Sequence, residues 1–253
     1  MSQPLNGGQR VESLHLLTVN THKGFTALNR RFILHELREA VRDVSADLVF
    51  LQEVLGTHER HARRHRNWPE TPQYEFLADS MWGDFAYGRN AVYPDGDHGN
   101  AVLSKYPIQR YDNLDISLPG PERRGLLHCE LEVPGQPRCT PSAYTGLLES
   151  HRQKQLGLLC ELIDSLPAEA RILVAGDFND WRLRASACLR RCGLVEVFEH
   201  SHGRCAQLPG APAAAAPGPH LPAQRHSPSC QGSVPHPWPH LSDHLPLAAE
   251  VRL

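Results

Sequence analysis

Six polar residues stand where predicted strands begin or end, and their types are those that bind metal ions and phosphate. They are Asn20, Glu53, Asp177, Asn179, Asp243 and His244. Oxygen ligands of this kind suit Mg²⁺ or Mn²⁺, and Mg²⁺ typically takes one or two carboxylates together with water and substrate phosphate. An Asp–His pair can orient a water molecule or neutralise a developing negative charge. The set therefore indicates metal-assisted hydrolysis of a phosphate ester.

Each of these residues also has an interpretation without chemistry, because Asn and Asp at a strand end often only form a turn. Glu53 is a stronger candidate, since an acid that closes so apolar a strand as DLVFLQEV needs a partner. The segment GDFND is stronger again, because two acids and an asparagine follow ILVAG at once. Taken singly the residues favour turns, whereas the whole series favours a functional site. The sequence has neither a glycine-rich phosphate loop nor a G-x-S-x-G elbow.

Strand and helix patterns alternate along the chain and must position these residues. Helical spacing of apolar residues predicts helices over 27–44 and 146–166, with a further helix over 74–82. Short apolar or alternating runs predict strands at 13–20, 46–54, 85–90, 99–108, 125–133, 171–180 and 244–253. There is no internal repeat and no clear linker before residue 205, so the sequence predicts one α/β domain over residues 10–253.

Five motifs resemble those of the endonuclease/exonuclease/phosphatase family, which includes DNase I, abasic-site endonucleases, sphingomyelinases and inositol phosphatases. They are LTVNTHKGF, DLVFLQEV, HGNAVLSKYPI, GDFNDW and LSDHLPL, in the order that the family has them and over nearly the whole chain. The run over 22–54 looks especially like the bacterial YbhP-type branch. The resemblance implies an α/β four-layer sandwich, in which two packed mixed sheets are flanked by helices as in DNase I.

Site roles follow from the resemblance only at positions that match the motifs. Glu53 would be the main ligand of Mg²⁺ or Mn²⁺, with Asn20 beside it and Asp243 supporting the metal. Among the catalytic positions, Asp177 would orient or activate the attacking water. Asn179 would hold a phosphate oxygen, and His244 would contact the scissile phosphate. Asp243 also counts among the catalytic positions, through its support of the metal side.

Three further residues are weaker candidates for contact with phosphate. Tyr87 and Arg89 lie in AYGRN, and Asn100 either supports the site or forms a turn. His22 and Lys23 resemble the YbhP-type branch alone, and the sequence assigns them no chemistry.

Two elements of the family are absent from the sequence. A histidine strand of the form VHLGL is expected before Gly146, and a strand of the form LDRIY is expected before the last motif. One choice of codons for PGPHLPAQR encodes LDRIYLRN when the reading frame moves on by one base. We therefore hypothesise that 134–145 and 205–237 are out-of-frame segments, the alternative being true replacement of a strand by a loop. We then expect the strands beside the lost ones to have unpaired edges, and the protein to fold poorly and to be weakly active or inactive.

Composition limits the partners. The 253-residue chain is 40% hydrophobic with a formal net charge of −2, which does not suggest a protein that coats nucleic acid. No apolar run is long enough for a membrane span and the start has no signal-peptide pattern, so a cytoplasmic monomer with reduced cysteines is expected. The basic run over 58–68 favours a solvated helix face over a nucleic-acid patch.

The substrate class stays open between several phosphate esters. A small phosphodiester, a phosphomonoester or a phospholipid headgroup is favoured, with DNA or RNA as the runner-up. The alternative function is a catalytically impaired homologue that only binds phosphate-bearing ligands, because the family histidine and the LDRIY-type aspartate are missing.

Overall fold

The structure, a computed structural model, describes residues 10–26, 31–119, 123–136, 139–145, 149–167, 170–177, 190–196, 213–216, 238, 241 and 246–253. Its helices are α1 (Leu34–Val44), α2 (Glu59–Arg64), α3 (Gln73–Ala78) and α4 (Glu149–Ser165). The first strands are β1 (Ser13–Asn20), β2 (Leu48–His58), β3 (Asp84–Tyr93), β4 (Gly96–Ser104) and β5 (Ile108–Asp115). The later strands are β6 (Gly125–Leu131), β7 (Cys139–Thr145), β8 (Arg171–Asp177), β9 (Val195–Glu196), β10 (Ala213–Ala216) and β11 (Leu247–Arg252).

The strands form two mixed sheets. The first has the order β11-β1-β2-β4-β3 and the second the order β5-β6-β7-β8-β10-β9. One parallel pair occurs in each sheet, β1 with β2 and β7 with β8, while the other neighbours are antiparallel. The end of β1 therefore lies beside the end of the apolar part of β2, which brings two predicted site residues together.

Three apolar clusters define the layers. The first lies between helices α1 and α3 and one face of the first sheet, where Leu37 and Val41 pack among β-strand residues such as Leu51. The second lies between the two sheets, and the third packs α4 against the outer face of the second sheet. The order helix, sheet, sheet, helix confirms the predicted four-layer α/β sandwich.

The amphipathic pattern of α1 explains its position. Its buried residues are Leu34, Leu37, Ala40 and Val41, a spacing of three and four that places them on one helix face. The helix ends at Ser45, whose left-handed backbone stops the helical hydrogen bonding. Trp82 then fixes the following turn, because its Nε1 donates a hydrogen bond to the Ala46 carbonyl at 3.0 Å.

The strand boundaries differ from the prediction at several places. The single strand expected over 99–108 is two strands, β4 and β5, which lie in different sheets. Strands also occupy the two segments where loss of a strand was expected. Within 134–145, β7 pairs with both β6 and β8, and within 205–237, β10 pairs with β8. The expectation of unpaired edges at these strands was wrong, whereas the out-of-frame origin of the segments stays a hypothesis.

The expectation that all cysteines are reduced was also wrong. Cys160 of α4 forms a disulfide with Cys192, and their Cα atoms are 5.6 Å apart. Their separation of 32 residues hid the pair from spacing rules, since only the packing of α4 brings them together. Cys129 is a free thiol inside the sandwich, and burial raises its pKa to about 12. Across the ranges described above, none of the helices has the length and apolar character needed to span a membrane.

Candidate functional site

A β-bulge positions Glu53. Side chains two apart on a regular strand share a face, so Glu53 would accompany Leu51 under the helices. Val54 packs there with Leu51 instead, and the register with β4 shifts between these two residues. Glu53 is the extra residue, with a positive φ of 52°. The bulge therefore re-aims this carboxylate, whose side chain is 17% exposed.

Buried hydrogen bonds hold the strained backbone at the bulge. The Thr21 hydroxyl lies 3.0 Å from the carbonyl oxygens of both Gln52 and Glu53, and the Thr21 amide donates to the Gln52 carbonyl. Gln52 pairs with Asn20 in the parallel register of β1 and β2. Asn20 is 5% exposed, and its Oδ1 accepts a hydrogen bond from the His22 amide at 3.0 Å. The two predicted metal ligands thus lie at adjoining strand positions.

The register of both sheets brings Asn100 and Asp177 to the same end of the sandwich, which we call the site rim. Asn100, in β4, lies opposite the bulge and is 1% exposed. Its Nδ2 donates to the Gly125 carbonyl at 3.0 Å, which links the two sheets. The antiparallel register of β6 and β7, continued from Leu127, places Gly125 beside Thr145, and Thr145 pairs with Asp177.

Part of the predicted set falls outside the described residues. Asn179, Asp243 and His244 lie there, and of Asp177 the backbone alone is described. The roles assigned to these four residues stay predictions. The backbone of Asp177 nevertheless ends β8 at the site rim, as the sequence pattern predicts.

Tyr87 lies on the other face of the first sheet. It pairs with Ala101 and packs against the helix-covered cluster, so it points away from Asn100. Its hydroxyl donates to Asp97 at 2.6 Å. Burial, followed by that hydrogen bond, raises the pKa of the Tyr87 hydroxyl far above its ordinary value. Arg89 is exposed and pairs with Gly99. The structure does not bring Tyr87 to the site rim, and phosphate contact by these two residues stays a prediction.

His98 is a site residue that the sequence reasoning missed. It lies on β4 opposite Leu55, two residues beyond Glu53, and its ring stacks on Tyr93 at 5.4 Å. Burial, and next the charge of Lys23, lower the pKa of His98 to about 4, while Glu53 acts in the opposite direction. The imidazole is therefore neutral at pH 7. Its position directly before Gly99 in the motif HGNAVLS was the available signal.

A buried glutamine ties the Glu53 bulge to the neighbouring loop. Gln73 is 1% exposed, and its Oε1 accepts a hydrogen bond from the Leu55 amide at 3.1 Å. Its Nε2 donates to the Lys23 carbonyl at 2.9 Å. Lys23 in turn places its Nζ 3.9 Å from Glu53 Oε2. One side chain of α3 thus fixes both partners of an ion pair, and nothing in the sequence around Gln73 signals this role.

A row of aromatic side chains extends from His98 along the protein. We call it the ring wall and define it as His98, Tyr93, His58, His61 and Trp68. Successive ring centroids are 5.4, 6.4, 4.0 and 5.4 Å apart. Each of the five side chains is partly exposed.

Exposed arginines accompany the ring wall. Arg60 and Arg63 of α2 have side chains that are 73% and 81% exposed, and Arg64 is exposed as well. The run over 58–68 was expected to be a solvated helix face. The arginines do face solvent, but the histidines of the same run pack into a continuous aromatic surface that begins at the site rim.

The donor set at the site rim fits a divalent cation. Glu53 supplies a carboxylate and Asn20 a carboxamide oxygen, which are ligands that Mg²⁺ and Mn²⁺ prefer. The ammonium group beside Glu53 shows that the carboxylate already attracts a cation. Among the side chains that the structure describes, no three His, Cys, Asp or Glu form a metal-binding group. A complete ligand shell would thus need substrate, water or residues such as Asp243.

Comparison with known proteins identifies the family. The profile of the Endonuclease/Exonuclease/phosphatase family matches residues 17–244. The chain is 52% identical over 245 residues to the uncharacterized protein YbhP of Escherichia coli (strain K12), covering 95% of this chain and 97% of that protein.

Solved structures show the same fold. An endonuclease/exonuclease/phosphatase from Beutenbergia cavernae superimposes with a TM-score of 0.73 at 18% identity, over 96% of this chain and 72% of that chain. D. rerio TDP2 complexed with a single-strand DNA product gives a TM-score of 0.65 at 16% identity, over 94% and 98% of the two chains. With its sheet order, its helical layers and the family match over most of its length, the chain belongs to the Endonuclease/Exonuclease/phosphatase family.

Proposed function

We propose that this protein is a Mg²⁺- or Mn²⁺-dependent phosphoesterase that hydrolyses a phosphodiester or phosphomonoester. Members of the family are phosphoesterases. The observation that carries the proposal is Glu53, whose left-handed backbone at a bulge holds a largely shielded carboxylate directly after Gln52, the strand partner of Asn20. Strained non-glycine backbone of this kind persists where the surroundings over-determine it, and it clusters at functional sites.

The proposed chemistry divides between a cation and residues of the rim. Glu53 and Asn20 would hold the cation, which supplies Lewis-acid stabilisation of charge on a phosphoryl oxygen. Asp177 would orient the attacking water, and Asn179 and His244 would contact the phosphate. Asp243 would support the cation side. A small phosphodiester or phospholipid headgroup is the favoured substrate.

Hydrolysis of bis(p-nitrophenyl) phosphate tests this proposal. The wild-type protein should release p-nitrophenol with Mg²⁺ or Mn²⁺ and stop when EDTA is added. Asp177→Ala should lower the rate by on the order of 10²–10⁴. Asp112→Ala removes a β5 carboxylate that is 46% exposed and paired with Arg110, and it should match the wild type. Binding of phosphate without any metal-dependent turnover would instead favour the catalytically impaired homologue.

The ring wall favours nucleic acid, or another nucleobase-bearing ester, as the second candidate substrate. Aromatic rings beside a cationic surface stack bases while the cations contact phosphates, at roughly 1–3 kcal/mol per stacked base. The partly exposed rings of His98 and Tyr93 begin the ring wall. Arg60, which pairs with Asp95, and Arg63, which pairs with Glu59, belong to the helix α2 that carries His61. The similar TDP2 structure holds a single-strand DNA product, which supports this candidate by fold alone.

A binding experiment separates the two substrate classes. Fluorescence anisotropy in EDTA would compare a labelled hexathymidylate with an abasic oligomer of the same length. If the ring wall binds bases, the wild type should bind hexathymidylate more tightly than the abasic oligomer. Tyr93→Leu should weaken hexathymidylate binding by about 5- to 100-fold and so remove that difference. Tyr93→Phe keeps the ring and should bind as the wild type does. Equal binding of the two oligomers by the wild type would remove this candidate.

A further inference from the structure

We propose that Lys23 is an exchangeable counter-ion of Glu53 and a phosphate-binding residue. In the absence of a divalent cation its ammonium group pairs with the Glu53 carboxylate. When a cation binds Glu53, the ammonium group turns to a non-bridging oxygen of the substrate phosphate. The inference rests on the proposed function for the identity of the cation and the substrate, and it assigns chemistry to a residue for which the sequence offered none.

The pair has the geometry of a contact that can exchange. Lys23 Nζ lies 3.9 Å from Glu53 Oε2, which is longer than the roughly 2.7–2.9 Å of a tight charge-assisted hydrogen bond. The lysine side chain is 38% exposed, whereas the glutamate side chain is 17% exposed. The carboxylate is therefore the more shielded partner, and the ammonium group is the more solvent-exposed one.

The backbone that carries Lys23 is held in place. His22, Lys23 and Gly24 have consecutive positive φ angles of 44°, 59° and 79°. Such a turn is unfavourable for the two non-glycine residues, so the surrounding contacts must maintain it. The Lys23 carbonyl accepts a hydrogen bond from Gln73, and the Gly24 carbonyl accepts one from the Ile33 amide at 2.9 Å.

The same buried side chain holds the main-chain positions from which the two partners extend. Gln73 bonds to Lys23 with one end and to Leu55, just after the Glu53 bulge, with the other. A fixed backbone with a flexible four-carbon side chain keeps the ammonium group within reach of both the carboxylate and its surroundings. A lysine that served only packing would not need this anchoring to the carboxylate strand.

Charge then dictates the direction of the exchange. A divalent cation on Glu53 neutralises the carboxylate and repels the ammonium group. A substrate phosphate that binds the same cation offers the nearest new negative charge. His98 cannot replace the lysine in this role, because its imidazole is neutral at pH 7. Lys23 therefore opposes metal binding in the free protein and assists phosphate binding once the metal is present.

These opposite effects give a test that a merely structural role would fail. Lys23→Met keeps the length of the side chain and removes its charge. Mn²⁺ titration by electron paramagnetic resonance, without phosphate, should show about 3- to 10-fold tighter binding in this variant. Calorimetric titration of inorganic phosphate with Mg²⁺ present should show about 10-fold weaker binding. Lys23→Arg, which keeps the charge, should restore both affinities toward the wild type.

Lys105 provides a matched control. Its side chain is 34% exposed and lies 3.2 Å from Asp47, so Lys105→Met also removes a half-exposed lysine from an ion pair. Neither affinity should change in that variant. Weaker Mn²⁺ binding in Lys23→Met, or unchanged phosphate binding, would overturn the inference. Opposite shifts in a protein that hydrolyses no phosphate ester would support the inference and reject the proposed function.

Discussion

Replacing Gln73 by leucine should destabilise the protein and loosen the candidate metal site together. The side chain is 1% exposed and makes two hydrogen bonds to main-chain groups, the Leu55 amide at 3.1 Å and the Lys23 carbonyl at 2.9 Å. Leucine has a similar volume, so it leaves the apolar packing nearly intact. It offers neither an acceptor to the Leu55 amide nor a donor to the Lys23 carbonyl.

The size of the effect follows from the two groups left without a partner. Each of the two polar groups that loses its hydrogen bond costs about 1–3 kcal/mol, so the free energy of unfolding should fall by about 2–6 kcal/mol. A domain of this kind is stable by about 5–15 kcal/mol, so the loss is readily measured. The Glu53 bulge and the Lys23 turn would also lose their common anchor, and Mn²⁺ binding should weaken about 10-fold.

Urea unfolding followed by tryptophan fluorescence measures the stability, since Trp82 and Trp238 are both 1% exposed and report loss of the core. Gln73→Glu keeps the acceptor for the Leu55 amide but sets a buried carboxylate oxygen against the Lys23 carbonyl, so it should be at least as unstable as the leucine variant. Gln109→Leu is the control, because Gln109 bonds Glu132 on an exposed strand position. A loss below about 1 kcal/mol in Gln73→Leu would refute the reasoning.

Three further predictions concern stability. Burial, and next the charges of His58 and His65, lower the pKa of His61 from 6.5 to about 4. The neutral His61 ring therefore contributes its full stabilisation of the fold above pH 6.5, and this stabilisation is lost as the pH falls toward 4. His61→Phe keeps the ring, and urea midpoints measured between pH 7 and 4 should therefore decline less steeply than in the wild type. Gly99→Ala would place its Cβ 1.8 Å from the Gly88 carbonyl oxygen, and thermal melting should show a loss of about 3 kcal/mol or more. Gly157→Ala, in α4 with open space around it, should instead raise stability by about 0.5–1 kcal/mol in the same assay; a lower melting temperature would contradict this.

Much of the scaffold follows from local patterns in the sequence. The strand predicted over 13–20 has the bounds of β1, and the spacing of apolar residues in α1 and α4 predicts which faces they bury. The same patterns place Asn20, and the backbone of Asp177, at strand ends. These features depend on the alternation and periodicity of neighbouring residues, which the sequence displays directly.

The site details depend on contacts between distant residues, which local patterns do not contain. The strand with Glu53 was expected to end at residue 54, but β2 continues to His58 after a bulge that no local signal marks. Gln73 reaches Lys23 across 50 residues. The ring wall also depends on packing, since Tyr93 and His98 come from a hairpin and His61 from α2.

The most direct test of the account is divalent-cation binding by wild-type protein and Glu53→Gln. The variant keeps the size of the side chain and removes its charge, and Lys105→Met serves as a control with an altered charge elsewhere. Mn²⁺ titration should find one site in the wild type, and its affinity should fall more than about 100-fold in Glu53→Gln. Loss of a residue that only supports a metal ligand typically costs about 10- to 100-fold, so a larger fall indicates a direct ligand. Mg²⁺-dependent hydrolysis should fall with it. Equal Mn²⁺ affinity in the two proteins would contradict the central claim that Glu53 holds the catalytic metal.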